Sequence, residues 1–318
     1  MKKTLFACVT MLLLMIAGGA IAQTYPDSPV RIFHGFSAGG NADTVSRIIA
    51  EPLTEALGQP FVVEPKPGAG GNVASSYLSK QEPDGKNLII LTGGHAVSGA
   101  MMSALDFDPV EDFTFVSRLS FFPFFIAVQP GKFASLDELI KAGKADRLTF
   151  GSAGFGTTQH LTGELLAQTT GANIKHIPYK GDAGSVAALM SGEVDMVVAV
   201  GTSLFSQAES GQVELLAVSS AERWPSAPEV PTVAETVAPG FDVFSWIALA
   251  GPAGLSDDVL STLNGAVVAA LDDPAIADKL AALGGQAAAS TPDEMAQIVA
   301  TQIANWNSAI DAAGIERK

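Results

Sequence analysis

Two stretches of this chain gather residues that can hold an anion without using a formal cation. They are Phe36-Ser37-Ala38-Gly39-Gly40-Asn41-Ala42-Asp43 and Gly151-Ser152-Ala153-Gly154-Phe155-Gly156-Thr157-Thr158-Gln159-His160. Each follows a short apolar run and precedes apolar residues at helical spacing, so each reads as a strand-to-helix loop. Glycines let the backbone turn sharply there, and a helix start presents unpaired N–H groups and the positive end of the dipole. Carboxylate and phosphate oxygens suit that environment. The second loop adds the hydroxyls of Ser152, Thr157 and Thr158. If the two loops face each other across a cleft, each can take one end of an anion. Read alone, the first loop is equally an ordinary connection capped by Asn41 or Asp43. His160 stands one turn beyond Gly156, where a histidine commonly packs or caps locally.

Bond-making chemistry is poorly supported. Phe150-Gly151-Ser152-Ala153-Gly154 lacks the G-x-S-x-G spacing of a nucleophile elbow. A serine esterase using Ser152 with His160 stays as a minor alternative, with no acidic residue placed to orient the histidine. Gly68-Ala69-Gly70-Gly71-Asn72-Val73 misses the last glycine of a dinucleotide fingerprint, and there is no Walker lysine. His34, His95, His160 and His176 are scattered without metal-ligand spacing. Asp106, Asp108, Glu111 and Asp112 read as a solvated acidic turn, short of the oxygen ligands and glycine of a calcium loop. No metal and no cofactor are expected.

The elements that must position these loops alternate between strand and helix. Pro29–Phe36 is a strand, and residues 42–57 carry a helical stripe that Pro52 kinks or divides. Phe61–Glu64 and Leu88–Thr92 are the next strands, with a helix over Val73–Lys80 between them. A second such unit follows: strand Leu148–Gly151, helix Thr157–Thr170, strand Ile174–Ile177, helix Ala183–Ser191, strand Val194–Val200 and strand Leu215–Val218. This order implies parallel sheets in two α/β halves. Extended stretches at Phe113–Val128 and Phe241–Ala250 read as crossings between the halves. Helices over Asp257–Leu271, Pro274–Leu283 and Pro292–Ala313 end the chain. The cleft between the halves is the default ligand site, and hinge closure is the expected motion.

The chain has 318 residues, 47% of them hydrophobic and 16% charged, with 33 acidic against 18 basic side chains and a net charge of −15. That composition excludes a disordered protein and argues against nucleic acid as a partner. Lys2 and Lys3, an apolar run from Leu5 to Ala17, and Ala20-Ile21-Ala22 form a secretory signal peptide cleaved before Gln23. A membrane anchor is the weaker reading, because the run is short for a span of ~20 residues. The only cysteine, Cys8, leaves with the signal, so no disulfide or thiolate chemistry is expected. The product reads as a soluble exported protein. Its expected segments are the signal over 1–22, a first lobe over 23–122, a second lobe over 123–243, and a return to the first lobe over 244–318.

Ordered motifs run through nearly the whole mature chain. They include Tyr25-Pro26, Gly39-Gly40-x-x-Asp43, Gly58-Gln59-Pro60, Pro67-Gly68-Ala69-Gly70-Gly71-Asn72 and Pro83-Asp84-Gly85. Gly151-Ser152-Ala153-Gly154-x-Gly156 with His160, then His176-Ile177-Pro178-Tyr179-Lys180-Gly181 and Gly192-Glu193-Val194-Asp195-Met196, continue the series. Leu216-Ala217-Val218, Pro231-Thr232-Val233-Ala234-Glu235, Trp246 and Gly251-Pro252-Ala253-Gly254 complete it. In this order the chain resembles the Bug (TctC-like) periplasmic receptors of tripartite tricarboxylate transporters.

The resemblance implies a type II periplasmic-binding-protein fold, two α/β lobes with a hinge and an interlobe cleft. It implies capture of a small organic carboxylate and delivery to integral-membrane transporter subunits. A sensing module for a membrane sensor kinase is the alternative that sequence does not separate from it. The implied ligand-binding residues are Phe36, Ser37, Ala38, Gly39, Gly40, Asn41, Asp43, Thr92, Ser152, Gly156, Thr157, Thr158, His160, Tyr179 and Gly181. Some positions depart from the pattern. Ser37 and Ala38 stand where relatives usually carry prolines, and Ala42 stands where a threonine is common. Val198-Ala199-Val200-Gly201-Thr202 lacks the usual polar step. The acidic group that would suit an amino-bearing ligand is missing there, so the ligand is expected to be a plain carboxylate. His34, Thr92 and His95 lie near strand ends, where they read as structural or as tuning the first lobe.

Overall fold

A computed structural model describes residues 25–317. The expected signal peptide and Cys8 lie outside the described residues.

The first sheet is built on apolar runs that are buried on both faces. β1 (Val30–His34), β2 (Phe61–Pro65) and β3 (Asn87–Thr92) pair in parallel, with β1 in the middle. Leu88, Ile89, Ile90 and Leu91 are all buried, which explains the unbroken apolar character of β3. β4 (Phe113–Pro123), β10 (Phe244–Pro252) and β11 (Gln286–Ala287) complete a six-stranded sheet in the order β11-β4-β10-β3-β1-β2. β10 runs antiparallel to β3 and β4, so the sheet is mixed rather than all parallel. The second sheet has the order β7-β6-β8-β5-β9. β6 (Leu148–Ser152) pairs in parallel with β7 (Ile174–Pro178) and β8 (Met196–Ala199), while β5 (Phe125–Val128) is antiparallel to β8 and β9 (Glu214–Val218).

Helices connect the strands. α1 (Asn41–Leu57) runs on through Pro52 and ends at Gly58, whose φ of 71° only glycine adopts cheaply. It is followed by α2 (Asn72–Leu78), α3 (Gly94–Met101), α4 (Leu136–Ala145), α5 (Thr158–Thr170), α6 (Asp182–Ser191), α7 (Gly201–Glu209) and a single turn α8 (Val233–Thr236). α9 (Asp257–Leu271), α10 (Pro274–Ala282) and α11 (Pro292–Ala313) close the chain. Helices α3, α4 and α7 and the single turn α8 are not expected from the sequence pattern. Among the described residues no single helix is long and apolar enough to cross a membrane.

The extended stretch over 113–128 divides at Phe124, with β4 in the first sheet and β5 in the second. The return passes from β9 to β10. Both crossings meet at Ser219, which is fully buried. Its hydroxyl donates to the Val243 carbonyl (2.6 Å) and accepts from the Phe124 N–H (2.9 Å), while its own N–H donates to the Phe124 carbonyl (2.8 Å).

Candidate functional site

Parallel strands carry the helix that follows them away from their carboxyl ends, so helix N-termini collect along one edge of each sheet. Here those edges meet. A cavity, partly open to solvent, lies between the sheets. Its lining includes the starts of α1 (Asn41, Ala42), α5 (Thr158, Gln159) and α6 (Asp182, Ala183), and Val200, the residue before α7. The residues that precede α1, α6 and α7 are Gly40, Gly181 and Val200, and none places a side chain on its helix's first N–H groups. First-turn N–H groups have no carbonyl to bond within their helix. Three such helix starts bordering one cavity make a concentrated set of donors with aligned dipoles.

Thr158 adds a hydroxyl. The residue is 2% exposed and lines the cavity, and its Oγ1 has no hydrogen-bond partner in the protein. A buried hydroxyl in that state costs about 1–3 kcal/mol. Ser245 of β10 and Thr92 of β3 line the same wall. The wall requires glycine at position 93, where a side chain would press against Ser245 Oγ and Thr158 Oγ1 at 2.5 and 2.9 Å.

The expected residues divide into two groups. Phe36, Ser37, Ala38, Gly40, Asn41, Thr92, Thr158 and Gly181 line this cavity. Gly39, Asp43, Ser152, Gly156, Thr157, His160 and Tyr179 do not, and each of the side chains among them is engaged elsewhere. Asp43 is buried beneath the first loop, accepting from the Gly39 N–H (3.0 Å) and from Arg47 Nε and Nη2 (both 3.0 Å), with His34 Nε2 at 3.1 Å. Burial alone would raise its pKa. The Arg47 and Gly39 hydrogen bonds outweigh that and hold it below the usual aspartate value. Asp43 therefore braces the loop and does not cap the helix directly. Thr157 caps α5 by accepting from the His160 N–H at 3.3 Å.

The pairing of Ser152 with His160 does not form. Ser152 is fully buried and its Oγ lies 2.7 Å from His176 Nε2. His160 instead packs, with tilted rings, on His176 and Phe155, with ring centroids 4.1 and 4.7 Å apart, and lines a separate cavity with Glu164. Tyr179 donates to Glu193 (2.9 Å) and lines an adjoining cavity that shares Phe36, Ser37, Lys180 and Gly181 with the first. His95 is buried between Ser75 (3.3 Å) and the Pro109 carbonyl (2.8 Å), and burial lowers its pKa to about 4, a structural role. Among the described residues no His, Cys, Asp and Glu cluster could hold a metal.

Phe122, Gln159, Lys180, Asp182 and Ser245 line the cavity without having been singled out in the sequence. Asp182 adds an acidic group to the cavity lining from the first turn of α6, whereas residues 198–202, at and after the end of β8, carry none, as the sequence shows. Its carboxylate accepts from Gln159 Nε2 at 3.3 Å.

Two α/β sheets joined by two crossings, with helix N-termini turned on the space between them, define a two-lobed binding protein of the periplasmic type. The sequence comparisons give the family. Residues 45–315 match the model described as the tripartite tricarboxylate transporter family receptor, TctC, and the chain belongs to that family. Among solved structures, an R. palustris protein solved with adipate (Rpa4515) is 32% identical, with a TM-score of 0.88 over 92% of this chain and 99% of that one. MatC from Rhodopseudomonas palustris, with bound malate, is 30% identical, with a TM-score of 0.84 over 90% and 100%. The periplasmic binding protein BugD is 29% identical, with a TM-score of 0.87 over 92% and 100%. The family is one of receptors.

Proposed function

We propose that this chain is exported to the periplasm, captures a small organic carboxylate between its two lobes and hands it to integral-membrane transporter subunits. The observation that carries the reading is the convergence of three helix starts without side-chain caps on one cavity, beside a buried Thr158 hydroxyl that has no protein partner. A carboxylate supplies the acceptor oxygens such a surface lacks. Solved relatives with bound adipate and malate support the ligand class. In this reading residues 1–22 are the export signal, 23–122 and 244–318 form one lobe, and 123–243 form the other. The protein acts as a monomer and performs no bond chemistry on its ligand.

The test is a thermal-shift panel of diacids, hydroxy acids, aromatic monoacids and amino acids, followed by calorimetry of the hits. A ligand at about 100 times its Kd adds about 2.7 kcal/mol of stability. One-to-one binding of a carboxylate, with the ligand recovered unchanged, supports the reading. No response to any acid in the panel overturns it.

A further inference from the structure

The cavity contains two ionisable side chains, Lys180 and Asp182. Lys180 is exposed. Asp182 is 8% exposed and opens α6, with its carboxylate drawn to Gln159 Nε2 at 3.3 Å and to backbone N–H groups, Val200's among them. No Lys, Arg or His among the described residues forms an ion pair with it, and no neighbouring cation contributes to its electrostatics. A buried carboxylate without a cation is costly, and a second carboxylate brought beside it is costlier still. An ammonium group in the same place relieves both penalties.

We propose that Asp182 is a specificity-determining residue that selects carboxylates bearing a protonated amine and disfavours dicarboxylates that would place a second anion beside it. The inference rests on the carboxylate-receptor reading and narrows its ligand class. The ligand carboxylate takes the donors at the starts of α1 and α5, with Thr158 Oγ1. The amine faces Asp182, whose oxygens then accept from it as well as from Gln159. The contrast with a diacid lies at one end of the ligand only, so molecules matched in length isolate the effect.

The experiment is calorimetry at about pH 7.5, where carboxylates are ionised and amines protonated. The probes are 3-aminopropanoate against succinate, 4-aminobutanoate against glutarate, 5-aminopentanoate against adipate, and 2-aminobutanoate against 2-hydroxybutanoate. The full mature protein and its D182N variant are compared. In the wild type, the amine-bearing member of the best-binding pair is expected to bind about tenfold or more tightly. In D182N that ratio falls by about tenfold or reverses. The wild-type comparison stands by itself should D182N fold poorly. A wild type that binds the partner lacking an amine equally well or better, or a ratio unchanged in D182N, overturns the role of Asp182 and leaves the receptor reading intact. Failure of every acid, here and in the wider panel, overturns both.

Discussion

Ser37 Oγ donates to the Lys180 carbonyl oxygen at 3.1 Å, joining the loop before α1 to the loop before α6 across the cleft. Thr202 Oγ1 lies within hydrogen-bond distance of Asn41 Oδ1 (3.0 Å) and the Leu283 carbonyl (2.9 Å), Trp224 Nε1 donates to the Gly284 carbonyl (2.9 Å) and Ser226 Oγ donates to the Ala281 carbonyl (3.2 Å), so polar contacts cross between the two sheet systems at several places. Ser37 is exposed, and its bond contributes at most about 1 kcal/mol. Ser37→Ala is therefore expected to speed ligand release by a factor of about 2–5, with little change in association rate. Stopped-flow displacement checks this; an unchanged release rate would show that the bridge does not help hold the closed arrangement.

Gly70 makes a closer approach across the same cleft. Its φ of 67° is left-handed, and a Cβ there would lie 2.8 Å from the Phe155 carbonyl oxygen. Gly131 has nearly the same backbone (φ 71°) but nothing within 4 Å of a built Cβ. Both Gly→Ala changes carry a backbone penalty of roughly 1 kcal/mol. Only Gly70→Ala also presses against the opposite sheet system. It is expected to lower ligand affinity by more than about tenfold, while Gly131→Ala lowers the melting temperature alone. Equal affinities for the two variants would contradict this role for the Gly70–Phe155 approach.

Thr158→Val keeps the shape of the side chain and removes the hydroxyl that has no partner in the protein. Stability of the ligand-free protein is expected to stay level or rise, because a buried unsatisfied group disappears. Affinity for a carboxylate is expected to fall about tenfold or more, the value of a hydrogen bond to a charged group. A variant that loses stability but keeps its affinity would mean that the hydroxyl serves the fold and not the ligand.

Burial pushes the Asp182 carboxyl up to about 6, and the Gln159 and backbone hydrogen bonds only partly oppose that. The folded state therefore holds this proton at pH values where the unfolded chain, near the ordinary 3.9, has released it. Between about pH 4 and 6 the native state binds more protons than the unfolded state, so stability from this group falls as pH rises. Asp182→Asn is expected to stabilise the ligand-free protein by roughly 2–3 kcal/mol above about pH 6.5, and by almost nothing below about pH 4. Melting curves across that range check the sign. A variant less stable than wild type at neutral pH would show that the carboxylate earns more from its donors than it loses by burial.

The α/β alternation and the two loops were legible because apolar periodicity and glycine placement are local. Strand direction was not. The apolar runs at 113–128 and 244–252 read identically whether parallel or antiparallel, and β4, β5 and β10 proved antiparallel to sheet neighbours. α3 was missed because every residue but Gly99 is buried, which leaves no polar face to set a helical period. Asp182 was passed over for a spatial reason. Its loop and the one before α7 leave the carboxyl ends of β7 and β8, both parallel to β6, so either loop can place an acid in the same cavity. The Gly181-Asp182 step at a strand-to-helix junction was the available signal. Phe122 and Ser245 gave none, since they sit on crossing strands whose register sequence does not reveal.

The three-way junction at Ser219 constrains how the molecule can move. Phe124 and Val243 belong to different connecting segments, yet both are fastened to one small residue. A twist in either segment is thereby imposed on the other, as two leaves of a gate share a single pin. Alanine at 219 would remove the two hydroxyl bonds and loosen that coupling, while the main-chain bonds of residue 219 to Phe124 and Val243 would still tie the connectors together.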